Sequence, residues 1–233
     1  MKGSKLDLED ILDLTNFSGI VPLFPLATVV FFPNTLLPLH VFEPRYRQMV
    51  NDVLCGERII GMILLKPGWE KSYYGNPEIY SVACMGRVIS AEPVEEGRFN
   101  IVLFGLKRVK ILEILDDFPY RTARVGILED ITGINEHIYR ERIKQLVSTW
   151  NGMLGKEQES HKINIETELP IERLTDAIAS SVISNVFEKQ YLLEEPNVEK
   201  RAARILNYLE TKFRAISLVN KLGNRIIDKR NFN

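Results

Sequence analysis

The feature that most constrains this chain is a change of hydrophobic period near residue 131. From Gly19 to Ile131 the apolar runs are short, β-branched or aromatic, and broken by Pro, Gly and Asn. They read IVPLF (20–24), TVVFF (28–32), IIGMILL (59–65), YSVACMGRVI (80–89), FNIVLF (99–104), RVKILEIL (108–115) and YRTARVGIL (120–128). Closely spaced strands with turn signals between them predict a closed or nearly closed β-barrel. Glu95-Glu96-Gly97 is the strongest local turn signal and predicts a hairpin there. One helix is expected to interrupt the strands. Pro44 suits its first turn, and Tyr46, Met49, Val50, Val53 and Leu54 follow at helical spacing.

After Ile131 the period becomes 3.6. Tyr139, Ile143, Leu146, Val147, Trp150, Met153 and Leu154 form one stripe, and Leu174, Ala177, Ile178, Ser181 and Val182, entered through Pro170, form a second. Val198, Ala202, Ile205, Leu209, Phe213 and Ile216 form a third, with Asn197 placed to cap it. GKEQESHKINIETE (155–168) is polar, poorly periodic and reads as an exposed loop. The expected organisation is an amino-terminal extension (1–18), a β domain (19–131) and a helical domain (132–233). Each helix must bury its stripe, so the helical segment is expected to pack against the barrel. Leu8, Ile11 and Leu12 among acids in the extension offer a partner-seeking amphipathic helix; isolated helices this short are marginal, so the favoured expectation is that the piece packs on its own domain or frays.

Charge and motifs narrow the function. Thirty Lys and Arg oppose 31 Asp and Glu, for a formal net charge of −1, which disfavours a surface built mainly for nucleic acid. Two cysteines, Cys55 and Cys84, are too few for a disulfide framework and suit a reducing cytoplasmic compartment. Acidic residues interrupt the first 14 positions, so no secretory signal is expected, and no apolar run reaches the roughly 18 residues of a membrane helix. The sequence contains no GxxxxGK[ST], GxSxG or HExxH. His40, His137 and His161 have no ligand spacing with one another or with either cysteine, so neither a metal nor a cofactor is expected. His40, between Leu39 and Val41, reads as a hydrogen-bonded structural histidine.

The opening VPLFPLATVVFFPNTLLPLHVFEPRYRQMV (21–50) resembles the amino-terminal, substrate-binding domain of the Lon protease family. The matching pieces are Pro-Leu-Phe-Pro-Leu at 22–26, Phe32-Pro33, Leu37-Pro38-Leu39-His40, and Phe42-Glu43-Pro44-Arg45-Tyr46. The likeness continues through IIGMILL and MGRVISAEPVEEGRFNIVLFGLKRVKI (85–111). It is weaker in LTDAIASSV, KQYLLEE and NVEKRAARILNYLE, which resemble the helices that follow the barrel in Lon. The resemblance implies an α+β fold: a PUA-like β-barrel with one inserted helix, then a helical segment. It also implies recognition of unfolded or tagged polypeptides in protein quality control, as an adaptor or stand-alone recogniser. The ATPase and protease parts of Lon have no counterpart in these residues, so no enzyme activity is expected.

The residues qualify this in two places. His40, Phe42, Glu43, Pro44, Arg45 and Tyr46 read as a structural motif, with Glu43 at the positive end of the helix dipole and Pro44 fixing the entry angle. The loop KPGWEKSYYGNPEIY concentrates Trp69, Tyr73 and Tyr74 between turn signals and is the candidate peptide contact, with Leu36 and Leu37 as possible neighbours. Against this stands the alternative that the rings fold back to plug the barrel mouth. The alternative function is an RNA-binding PUA-like module, supported by Lys107, Arg108, Lys110, Arg121 and Arg124.

Overall fold

A computed structural model of the chain describes residues 7–72, 75–116, 119–153 and 162–230. Tyr73, Tyr74, Leu154 and the first part of the 155–168 loop lie outside the described residues. The fold is mixed α+β and divides into two compact units. The first comprises Met1–Asp130 and Ala179–Pro196, the second Ile131–Ile178 and Asn197–Asn233.

The first unit is built on six strands: β1 (Ile20–Leu26), β2 (Leu36–Val41), β3 (Ile59–Leu64), β4 (Val82–Val94), β5 (Arg98–Asp116) and β6 (Thr122–Ile127). The sheet order is β2-β5-β4-β3-β1-β6, and a further β5–β6 pairing brings the strands into a near-closed ring with β2 on the outside. The runs at 99–104 and 108–115 are one long strand. β5 pairs with β2 through its first half and with β6 through its second, which is how one strand serves both the ring and its outer arm. The β4–β5 hairpin turns at Glu95–Gly97, where Glu96 (φ 61°) and Gly97 (φ 71°) take left-handed conformations.

The run at 28–32 is not a strand. Val30, Phe31 and Phe32 are buried in a connection that crosses the sheet where two glycines leave room. A Cβ on Gly86 would meet Phe31 Cε1 at 2.6 Å, and one on Gly105 would meet the Phe32 carbonyl oxygen at 2.1 Å. The Asn34 N–H donates to Gly105 O (2.8 Å) and the Gly105 N–H to Thr35 O (2.9 Å), fixing the crossing. A short apolar run without period fits a buried crossover as well as a strand. The strand lies just beyond it, in LLPLHV, where the edge position tolerates Pro38.

Inside the ring, Val21, Leu23, Ile59, Ile63, Met85, Val109 and Val125 form a buried cluster. Ile11, Leu14 and Phe17 pack against it, so the amino-terminal segment, including helix α1 (Leu8–Leu12), folds onto its own unit. Helix α2 (Pro44–Leu54) has Pro44 in its first turn and buries Tyr46, Met49, Val50 and Val53. Helix α5 (Val186–Glu194), from the far part of the chain, completes the unit. The Gln190 side-chain amide donates to Val82 O (3.1 Å), and Arg108 Nε donates to Leu193 O (3.1 Å).

The second unit contains α3 (Glu136–Met153), most of α4 (Ile171–Ser181) and α6 (Val198–Arg230). Ile143, Val147, Leu174, Ile178, Ala202, Ile205 and Leu209 from the three expected stripes are buried. Asn197 Oδ1 accepts from the Lys200 N–H (2.9 Å) and caps α6. Among the described residues no helix is long and apolar enough to cross a membrane.

Candidate functional site

A groove of about 900 Å³ opens in the first unit where four segments meet: the end of β1, the start of α2, the β3–β4 loop and the start of β6. Its size is in the range of ligand and peptide pockets. Tyr46 contributes at its floor. That ring is 4% exposed and packs on Phe24 at 4.2 Å between centroids. The Arg45 guanidinium lies 4.6 Å above the Tyr46 ring and is held by Glu43, whose Oε2 accepts from Nη2 (3.0 Å) and Nε (3.2 Å). Pro44 between them places both side chains at the helix entrance.

Trp69 forms part of the opposite wall. The loop carrying it is tied at its neck by the Lys66 N–H to Glu78 O (2.8 Å), the Tyr80 N–H to Leu64 O (3.0 Å) and a Lys66–Glu78 ion pair (3.1 Å). Arg121 Nη1 donates to Pro77 O (2.8 Å), joining the loop to β6. Trp69 begins a 3₁₀ turn (Trp69–Ser72) and is half-buried. Tyr120 closes one end; its hydroxyl donates to Asp52 Oδ2 (2.7 Å). Burial first, and then the Asp52 carboxylate, push its pKa up to about 12, so it is a protonated donor at neutral pH. Four prolines (Pro25, Pro44, Pro77 and Pro119) stiffen the walls.

The groove brings Trp69 together with Glu43, Pro44, Arg45 and Tyr46. It does not include Leu36 or Leu37, which lie on β2; Leu36 is 60% exposed and Leu37 half-buried. His40 and Phe42 are also outside it. His40 Nδ1 is 2.7 Å from Asn100 Oδ1, and the His40 and Phe42 rings lie 6.2 Å apart. Pro25 and Leu26 belong to the Pro-Leu-Phe-Pro-Leu run of the resemblance, whereas Ala27, Thr28, Pro119 and Tyr120 line the groove without a signal of their own, because only the β1–β3–β6 pairing gathers them.

The five cations behind the nucleic-acid alternative do not form one open patch. Arg108 is 2% exposed and pairs with Asp130 (3.6 Å) as well as Leu193 O. Lys107 pairs with Glu129 (2.9 Å), Arg124 with Glu113 (3.6 Å), and Arg121 serves the groove, while Lys110 is exposed. Among the described residues no group of three or more His, Cys, Asp or Glu is disposed to hold a metal, and neither Cys55 nor Cys84 is in a disulfide.

Comparison with known proteins gives a consistent picture. The substrate-binding domain of ATP-dependent protease La (LON) matches residues 20–211. The Lon protease of Anaeromyxobacter dehalogenans is 25% identical over 219 residues, covering 93% of this chain and 26% of that protein. The Lon protease of Dictyoglomus thermophilum is 26% identical over 209 residues, covering 89% of this chain and 26% of that protein. The chain thus spans about a quarter of the length of these curated relatives. Among solved structures, a Lon N-terminal domain protein from Xanthomonas campestris superposes with a TM-score of 0.58 at 19% identity, covering 81% of this chain and 98% of that one. The N-terminal domain of a Mycobacterium avium complex Lon protease gives 0.61 at 13% identity, covering 82% and 98%. At these identities the structural likeness speaks to the fold alone.

Proposed function

This chain belongs to the LON substrate-binding domain family, and from that premise we propose that it is a non-catalytic module that binds polypeptide segments in the Tyr46–Trp69 groove. The near-closed ring is read as a PUA-like β-barrel. The ligands are unfolded or tagged protein segments, and the module works in the cytoplasm as an adaptor or stand-alone recogniser in protein quality control. The observation that carries this reading is that the Glu43–Tyr46 motif and Trp69, found separately in the sequence, line one groove. Rigid aromatic and proline walls lose little conformational freedom when a peptide docks, and an aromatic anchor supplies large contact area. Tyr73 and Tyr74, four and five residues after Trp69 in the chain, lie outside the described residues and stay candidate peptide contacts by sequence, whereas Leu36 and Leu37 are not assigned to the groove.

The groove's chemistry supports binding over turnover. Glu43 is engaged by Arg45, and Tyr120 is a protonated donor to Asp52, so neither reads as a base poised on a nucleophile. A nucleic-acid role is not proposed, since Lys107, Arg108, Arg121 and Arg124 are engaged within the fold.

The test is fluorescence anisotropy with labelled peptides from unfolded proteins, run at low and high salt. Trp69→Ser should weaken binding by about tenfold or more while leaving the melting temperature nearly unchanged. Affinity should persist at high salt; steep loss would point to a polyanion site. Unchanged affinity in Trp69→Ser removes the groove from the site, and parallel loss of stability and binding makes Trp69 a plug. The purified chain should neither hydrolyse ATP nor cleave unfolded casein.

A further inference from the structure

We propose that residues 7–18 are a releasable strap seated in a second polypeptide-docking site on the ring, and that another short amphipathic segment takes the same seat when the strap leaves. None of the residues that hold the strap lines the groove, so the seat is separate from it and independent of what it binds. The strap begins with α1, whose five residues are too few to hold a helix alone. Asp13 turns the chain after that helix, its Oδ1 accepting from the Thr15 N–H (2.8 Å) and hydroxyl. Apolar side chains recur three residues apart. Ile11, Leu14 and Phe17 lie half-buried against the ring's apolar cluster, whereas Asp7, Glu9, Asp10 and Asp13 are exposed.

The polar ties identify the class of occupant. Arg87 Nη2 on β4 donates to the Asp13 carbonyl, and the Ser18 N–H donates to Glu57 Oε1 (3.1 Å) just ahead of β3. The ring supplies side chains, and the strap answers with main-chain atoms that every polypeptide carries. Any segment whose backbone reaches Arg87 and Glu57 makes the same two ties, so the seat selects by apolar spacing. Its ligand class is a short polypeptide segment with apolar residues at i, i+3 and i+6. The seat is also imperfectly filled. Arg87 Nε and Glu57 Oε2 are buried, and among the described residues neither has a hydrogen-bond partner. An unpaired buried polar atom costs free energy while the strap is seated, and that cost is relieved once water reaches it. Gly19 joins the strap to β1 at φ 79°, with nothing within 4 Å of where a Cβ would stand, so the joint is uncrowded. Three half-buried side chains, an unpaired atom in each tie and a glycine joint together make an element of low local stability.

Two measurements on the full chain test this. In native-state hydrogen exchange, the amides of Phe17, bonded to Leu14 O, and Ser18, bonded to Glu57, report the strap, and that of Leu23, bonded to Arg121 O, reports the ring. The two strap amides should exchange at least about 100-fold faster than Leu23. Exchange as slow as that of Leu23 means that the strap leaves only when the ring unfolds, and overturns the proposal. In the second measurement a labelled peptide of residues 7–18 is added to the parent chain and to the variant Ile11→Asp/Leu14→Asp/Phe17→Asp, which unseats its own strap. A tethered strap competes at an effective concentration in the millimolar range, so the peptide should bind the variant at least about tenfold more tightly than the parent. A peptide carrying the same three changes should not bind, and adding Trp69→Ser to the variant should leave the affinity unchanged, which separates this seat from the groove. Equal binding to parent and variant, or binding to neither, overturns the proposal. So does a variant that loses its cooperative melt, because the strap is then an integral part of the ring's core.

Discussion

Gly105 shows how much of this fold rests on single residues. A Cβ there would lie 2.1 Å from the Phe32 carbonyl oxygen, and a backbone atom cannot swing away as a side-chain tip can. Gly105→Ala should therefore lift the 30–35 crossing, break the Asn34 and Thr35 hydrogen bonds and expose Phe31 and Phe32. The expected loss is at least about 3 kcal/mol in denaturant unfolding. Gly97→Ala meets strain only from its φ of 71°, and should cost about 1 kcal/mol. Equal effects at the two sites would contradict the crossing as the cause. Tyr120 makes a different residue-scale prediction. Its folded pKa, about 12, lies above its ordinary value of 10.0. The folded state therefore holds the proton more tightly, and the contribution is full below pH 10 and lost as pH rises toward 12. Melting temperatures measured across that window should fall less steeply for Tyr120→Phe than for the parent chain. Identical slopes would mean that Tyr120 does not contribute to the fall in stability across that window.

At the level of elements, α5 is the instructive case. Its buried residues are Gln190, Leu192 and Leu193, while Phe187 and Tyr191 are exposed, so it carries no apolar stripe for a period argument to find. Its start is nonetheless well specified, since Asn185 Oδ1 accepts from the N–H groups of Phe187 (2.9 Å) and Glu188 (3.0 Å). Asn185→Ala should cost about 1 kcal/mol, and Asn185→Asp should retain most of the stability because a carboxylate caps equally well. If the two variants melt alike, the cap is not what sets the helix start. The same contrast explains what was legible beforehand. α2, α3, α4 and α6 each bury part of a stripe and were readable from spacing, as was the Glu95–Gly97 turn from its residue types. The 28–32 run and β2 were not, because three consecutive buried residues, Val30–Phe32, erase alternation and an edge strand admits a proline. Half of the groove was likewise visible as the Glu43–Tyr46 motif and Trp69. The other half, Ala27 and Thr28 with Pro119–Arg121, is assembled only by strand pairing distant in sequence.

For the whole molecule, the change of period at residue 131 and the compact first unit are not the same boundary. The ring's unit takes in Ala179–Pro196, which arrive after an excursion of 48 residues through Ile131–Ile178. Arg108 explains why that return matters. Its guanidinium is 2% exposed, donates to Leu193 O and pairs with Asp130, and Val82 O accepts from Gln190 nearby. A fragment ending at Asp130 keeps every strand yet removes α5 from its contacts with Arg108 and Val82. Arg108 keeps Asp130 but loses the Leu193 carbonyl, which costs about 1.5–3 kcal/mol for a hydrogen bond from a charged group, and the lost Gln190 hydrogen bond costs about 1 kcal/mol more. For a unit of this size those losses lower the melting temperature by about 10 °C or more. Joining residues 1–130 to 179–196 through a long Gly/Ser linker should recover most of it, since closure entropy grows only slowly with linker length. In the linked form Arg108→Met should then be tolerated better than deletion of α5, because it removes the charge together with its need for partners. A 1–130 fragment that melts as high and as cooperatively as the linked form would show that the ring is self-sufficient and that α5 is only a passenger on it.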